Sequence, residues 1–132
     1  MSESERTRSY GSGALMALLS VLHASADGLT QAASAMTRTG MPVLLEPFYV
    51  VVDALSYGTK TIPQTGAFAD IHRQFTSVLA DYRAVLDSLA SGDIHAMRGA
   101  AASFTESRSL LIIAAERLAG RELGDKGFSE FG

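Results

Sequence analysis

Phe68, Ile71, Phe75, Val78, Tyr82, Val85 and Leu89 alternate at intervals of three and four residues without a break. On a helix this spacing gathers all of them on one side, as an apolar seam that must be covered along its whole length. Other helices cover a seam of that shape best, so the pattern commits the chain to lengthwise helix packing. Leu15, Leu22, Leu29 and Met36 carry a second stripe with seven-residue spacing. Two such stripes in 132 residues predict one all-α domain with a single core.

Punctuation in the sequence sets the helix ends. Ser12 can cap a first helix that runs to about residue 37, where Gly40 supplies a left-handed stop and Pro42 blocks continuation. Ser91-Gly92-Asp93 is a compact stop and restart, which makes a hairpin of a third helix over 65–90 and a fourth over 94–119. Ile94, Met97, Ala101, Phe104, Leu111 and Leu118 form the inner stripe of the fourth helix.

Residues 42–58 carry two signals. Leu44, Phe48, Val51 and Leu55 follow a helical stripe, while the run from Tyr49 to Val52 has good strand propensity. The chain offers no second strand to pair with it, and an isolated strand is not stable, so helix is expected. The expected fold is an antiparallel four-helix bundle, with a three-helix bundle and an irregular 42–58 segment as the alternative. The bundle domain spans 14–119, between a flexible N-terminal arm over 1–13 and a flexible C-terminal tail over 120–132.

The motifs and spacings that mark common chemistries are missing. There is no cysteine, which removes disulfides, thiolate metal sites and cysteine nucleophiles together. No Glu-x-x-His pair occurs, and Asp70 and His72 lie about 200° apart around a helix, too far to share a metal. His23 reads as a boundary residue, and Asp81 and Asp87 beside Arg83 read as a solvated face. No nucleophile elbow or phosphate-binding glycine loop is present. The expectation is a protein that is not an enzyme, with no cofactor, metal or catalytic residue.

A net charge of −3 without a basic run argues against nucleic acid as a partner. A small helical subunit of a nucleoprotein complex, touching phosphates through Arg73, Arg83 and Arg98, is kept as an alternative. The polar opening residues and the charges that interrupt 42–55 and bracket 110–115 predict a cytoplasmic protein with no membrane span.

His95-Ala96-Met97-Arg98-Gly99-Ala100 resembles the His-x-Leu-Lys-Gly-Ala segment of histidine phosphotransfer domains, which are also four-helix bundles. The resemblance implies His95 as a phosphate acceptor and Arg98 as its charge partner, a second alternative function. It covers six residues. Arg98 stands where that family has lysine, His95 falls in the first turn of its helix, and only one helix follows it.

The strongest functional signal is apolar surface beyond what one core needs. Leu110, Leu111, Ile112 and Ile113 are consecutive and so span most of a helix circumference. The second helix has the same surplus from Phe48 to Val52. Phe48, Tyr49, Val50, Leu110, Ile112 and Ile113 are therefore the expected partner-binding residues, joined by Phe128 and Phe131 as paired anchors in the tail. The reading is a non-catalytic protein that works through protein contacts, as an assembly subunit, adaptor or chaperone, and that forms a homo-oligomer. Arg108 falls on the inner stripe, where it must either meet an acid such as Glu46 or Asp53 or extend to water.

Overall fold

A computed structural model of the chain describes the backbone of residues 12–131 and the side chains of residues 13–120. The described residues form four α-helices and no strand. They are α1 (Ser12–Thr39), α2 (Glu46–Thr59), α3 (Ala69–Ser91) and α4 (Ile94–Phe131), with a 3₁₀ turn over Gly66–Phe68 before α3. The expected arm over 1–13 lies almost wholly outside the described residues.

Every member of the seam that runs from Phe68 to Leu89 is buried. Leu79 and Leu86 widen it, so α3 presents a broad apolar face to more than one neighbour. Fully burying a side chain of this size stabilises by about 1.5–3 kcal/mol, which is why so regular a seam fixes the orientation of the helix. In α1, Leu15, Leu22 and Leu29 are buried as expected, with Leu19 and Ala26 beside them and Met36 packed at the edge.

Helix α2 resolves the ambiguous segment. Pro47 sits in its first turn, where a missing amide hydrogen costs nothing, and Val52, Leu55 and Thr59 face the core. The apolar stripe begins later than the sequence suggested. Leu44 lies in the connection before the helix and is 73% exposed, because the turn that would have carried it inward does not form. Ile94 is also exposed rather than part of the inner stripe of α4, since it occupies the first residue of that helix, beside the turn.

The joint between α3 and α4 forms as its residues dictate. Gly92 takes φ +75°, the Asp93 amide donates to the Ser88 carbonyl, and Asp93 Oδ1 accepts the Ala96 amide at 3.0 Å. These bonds satisfy backbone groups that both helix ends would otherwise leave bare. Helix α4 continues to Phe131, well past the end expected at Ala119. A glycine inside a helix costs only about 1 kcal/mol, so Gly120 need not stop it.

Successive helices run in opposite directions. Leu18 of α1 packs on Gly58 of α2, and Gly28 of α1 on Phe48. The Tyr49 hydroxyl of α2 donates to Asp87 of α3, and Asp53 of α2 pairs with Arg83 of α3. The α3–α4 hairpin is the closest pairing, and Tyr82 meets Phe104 edge to face, with ring centroids 5.5 Å apart. Helix α4 reaches α1 through a longer contact, Arg108 to His23.

Candidate functional site

Among the described residues, the buried side-chain hydroxyls other than that of Tyr82 are bonded within their own helices. Thr59 and Ser107 are buried, and their hydroxyls donate to the Leu55 and Phe104 carbonyls of their own helices. Thr30, Ser56, Thr76 and Thr105 do the same one turn back, so these hydroxyl protons are held by backbone oxygens. Tyr82 is fully buried and its hydroxyl has no hydrogen-bond partner among the described residues. Burial pushes this phenol upward, with the nearby Ser25 hydroxyl acting the other way. Among the described residues, no three His, Asp or Glu side chains converge on a point where a metal ion could sit.

Arg108 finds partners that its place in the sequence does not name. Its Nε–H donates to His23 Nδ1 at 3.2 Å, and its Nη2 lies 3.7 Å from Asp27 Oδ1. Glu46 and Asp53 belong to α2, the helix that packs between α1 and α3, so the acid beside Arg108 comes from α1 instead. The bond requires Nδ1 to be an acceptor, which is the neutral imidazole. Burial first, and then the Arg108 charge, hold His23 below its ordinary value, while Asp27 opposes them. The three groups tie α4 to α1 and leave the guanidinium partly in water.

The expected partner-binding residues separate into distinct groups. Phe48 and Tyr49 are half-buried: Phe48 packs over Gly28, and Tyr49 hydrogen-bonds Asp87 at 2.8 Å. Both close the sides of α2 against its neighbours. Val50 points outward at 61% exposure. Tyr57, seven residues on, shares that face at 75% exposure, and the seven-residue spacing is the sequence signal for the pairing. Met41 and Leu44 in the preceding connection are also exposed, and a helical stripe cannot register residues outside a helix.

On α4, Leu110, Ile112 and Ile113 are all exposed, while Leu111 between them is fully buried. At about 100° per residue, Leu110 and Ile113 share one outward face and Ile112 falls on the opposite flank. The run is therefore two surfaces rather than one. The exposed faces of α2 and α4 also remain apart, because each of these helices packs on α3 and they make no comparably close approach to each other. The side chains of Phe128 and Phe131 lie outside the described residues.

A groove of about 470 Å³ runs between α2 and α3. Lys60 and Gln64 line one side, and His72, Thr76 and Arg83 the other. Arg83 is turned to Asp53, and Lys60 Nζ lies 6.0 Å from the Tyr57 ring centroid, so both cations are engaged. Arg73 likewise pairs with Asp70. His95 and Arg98 are exposed in the first turns of α4.

Residues Gly13–Thr39, within α1, are long and apolar enough, by length and composition, to cross a membrane. This is a different stretch from 42–55 and 110–115, the most apolar segments by sequence. Leu15, Leu19, Leu22 and Leu29 of this stretch are buried against the other helices, whereas Met16 and Val21 are exposed, as are Ser20, Asp27, Gln31 and Ser34. A core helix and a signal sequence both pass the same test of length and hydropathy. Comparison with known proteins gives no match: no family model, no curated protein and no solved structure matches this chain.

Proposed function

We propose that the chain is a non-catalytic, antiparallel four-helix bundle that acts through protein contacts and self-associates through the outward face of α4. Closure into a bundle is supported by the pairwise contacts of α1 with α2, α2 with α3 and α3 with α4, and by Arg108 joining α4 back to α1. The observation that carries the contact reading is the exposure of Leu110 and Ile113, 46% and 42%, on one face of a helix whose opposite face already fills the core. Large aliphatic side chains grouped on a helix face are characteristic of contact surfaces, and their burial is the main source of association free energy.

Sedimentation velocity over a wide concentration range tests this reading. Wild-type protein is expected to sediment faster as concentration rises, and Leu110→Lys to remain at 13.9 kDa throughout. Val50→Lys, on a helix that does not adjoin α4, is expected to associate like the wild type. A wild-type chain that stays monomeric at every concentration overturns self-association.

A further inference from the structure

The outward face of α4 carries a second seam in addition to the one that fills the core. Ser103, Glu106, Leu110, Ile113, Arg117 and Gly120 alternate at spacings of three and four residues, and all are exposed. Gly99 extends the series by one step. Nothing lies within 4 Å of a Cβ built on Gly99 or Gly120, so the backbone at both ends of this seam is open to close approach.

The order of residues along the seam is self-complementary. Leu110 and Ile113 lie equally far on either side of a point between Leu111 and Ile112. Glu106 and Arg117 are centred on that same point, as are Ser103 and Gly120. When a helix packs on a copy of itself about a two-fold axis, residue i meets residue j and j meets i. An antiparallel pair centred on this point therefore sets Leu110 against Ile113, Glu106 against Arg117, and Ser103 against Gly120, each contact occurring twice. A parallel pair would oppose Glu106 to Glu106 and Arg117 to Arg117, so the charges select the antiparallel arrangement.

Building on the contact reading above, we propose that α4 is the dimer helix of this protein, paired antiparallel with α4 of a second copy about a two-fold axis between Leu111 and Ile112. The seam from Ser103 to Gly120 is about 26 Å long at the rise of an α-helix. One helix pair of that length covers less than the roughly 800 Å² per partner of a standard stable interface, so a dissociation constant on the order of tens of micromolar is expected.

The test is sedimentation equilibrium of four chains: wild type, Glu106→Arg, Arg117→Glu and the double variant, at concentrations up to several hundred micromolar. Each single variant replaces two attractive contacts per dimer by two repulsive ones and is expected to weaken dimerisation about tenfold. The double variant exchanges the charges, restores both contacts, and is expected to return to within about threefold of wild type. Glu106 and Arg117 are exposed, so unchanged circular dichroism is expected for all four chains. A dimer indifferent to single charge reversals, or a double variant no better than the singles, overturns this register while leaving contact through α4 standing. A wild-type chain monomeric throughout overturns both.

Discussion

A Cβ added to Gly28 would sit 3.4 Å from the Phe48 ring, in ordinary contact, whereas one added to Gly58 would meet Leu18 Cδ2 at 2.5 Å. Alanine is favoured over glycine within a helix by about 1 kcal/mol. Gly28→Ala is therefore expected to stabilise the protein by up to about 1 kcal/mol. Gly58→Ala is expected to forfeit that gain and lose about 1 kcal/mol net, because the partly buried Leu18 must shift from its rotamer where it packs on α2. Urea denaturation of the two variants decides the matter, and a Gly58→Ala protein more stable than Gly28→Ala contradicts the α1–α2 packing.

His23 makes a prediction about pH. Its folded-state pKa lies below the ordinary 6.5, through burial and then Arg108, so the folded chain resists a proton that the unfolded chain accepts. The stabilising contribution is complete above pH 6.5 and declines as the pH falls through that value toward the lower folded pKa. Thermal melts between pH 7.5 and 5 are expected to show a falling midpoint in the wild type and a flatter profile in His23→Gln. Equal slopes contradict the Arg108–His23 bond. At this scale the sequence marked Arg108 as out of place on an apolar stripe. It could not name His23 and Asp27, because the helix that supplies them is set by tertiary packing.

The helices were legible where periodicity was sustained and less so at their ends. All seven positions of the α3 seam are buried, because a regular three-four pattern admits one inward orientation. Leu44 and Ile94 fit the arithmetic of their stripes yet lie exposed at or beyond a helix end, where burial depends on neighbours as well as on phase. The α3–α4 joint was readable in full, since glycine, a left-handed φ and an aspartate cap are local requirements. Gly92 has φ +75° and open space around it, so Gly92→Ala should cost only the conformational penalty, about 1–2 kcal/mol. Thermal or urea melts of Gly92→Ala measure this. A neutral effect would show that the turn does not hold that conformation.

For the whole molecule, the sequence supplied the amount of surplus apolar surface but not its distribution. A consecutive run such as Leu110 to Ile113 spans most of a helix circumference, and the burial of Leu111 divides its exposed part, with Leu110 and Ile113 on one side and Ile112 on the other. The order of packing then keeps the faces of α2 and α4 apart. What remains is a core largely accounted for by its seams and one outward face on α4 that matches its own reverse. Because the chain contains no cysteine, disulfide trapping addresses this face directly. Leu110→Cys chains uniformly labelled with heavy nitrogen are mixed with an equal amount of unlabelled Ile113→Cys chains and oxidised gently, and the linked dimers are resolved by mass. The antiparallel register predicts that the mixed disulfide, joining one variant to the other, exceeds both homodisulfides combined. A statistical distribution, or no cross-link at concentrations where the protein associates, contradicts it.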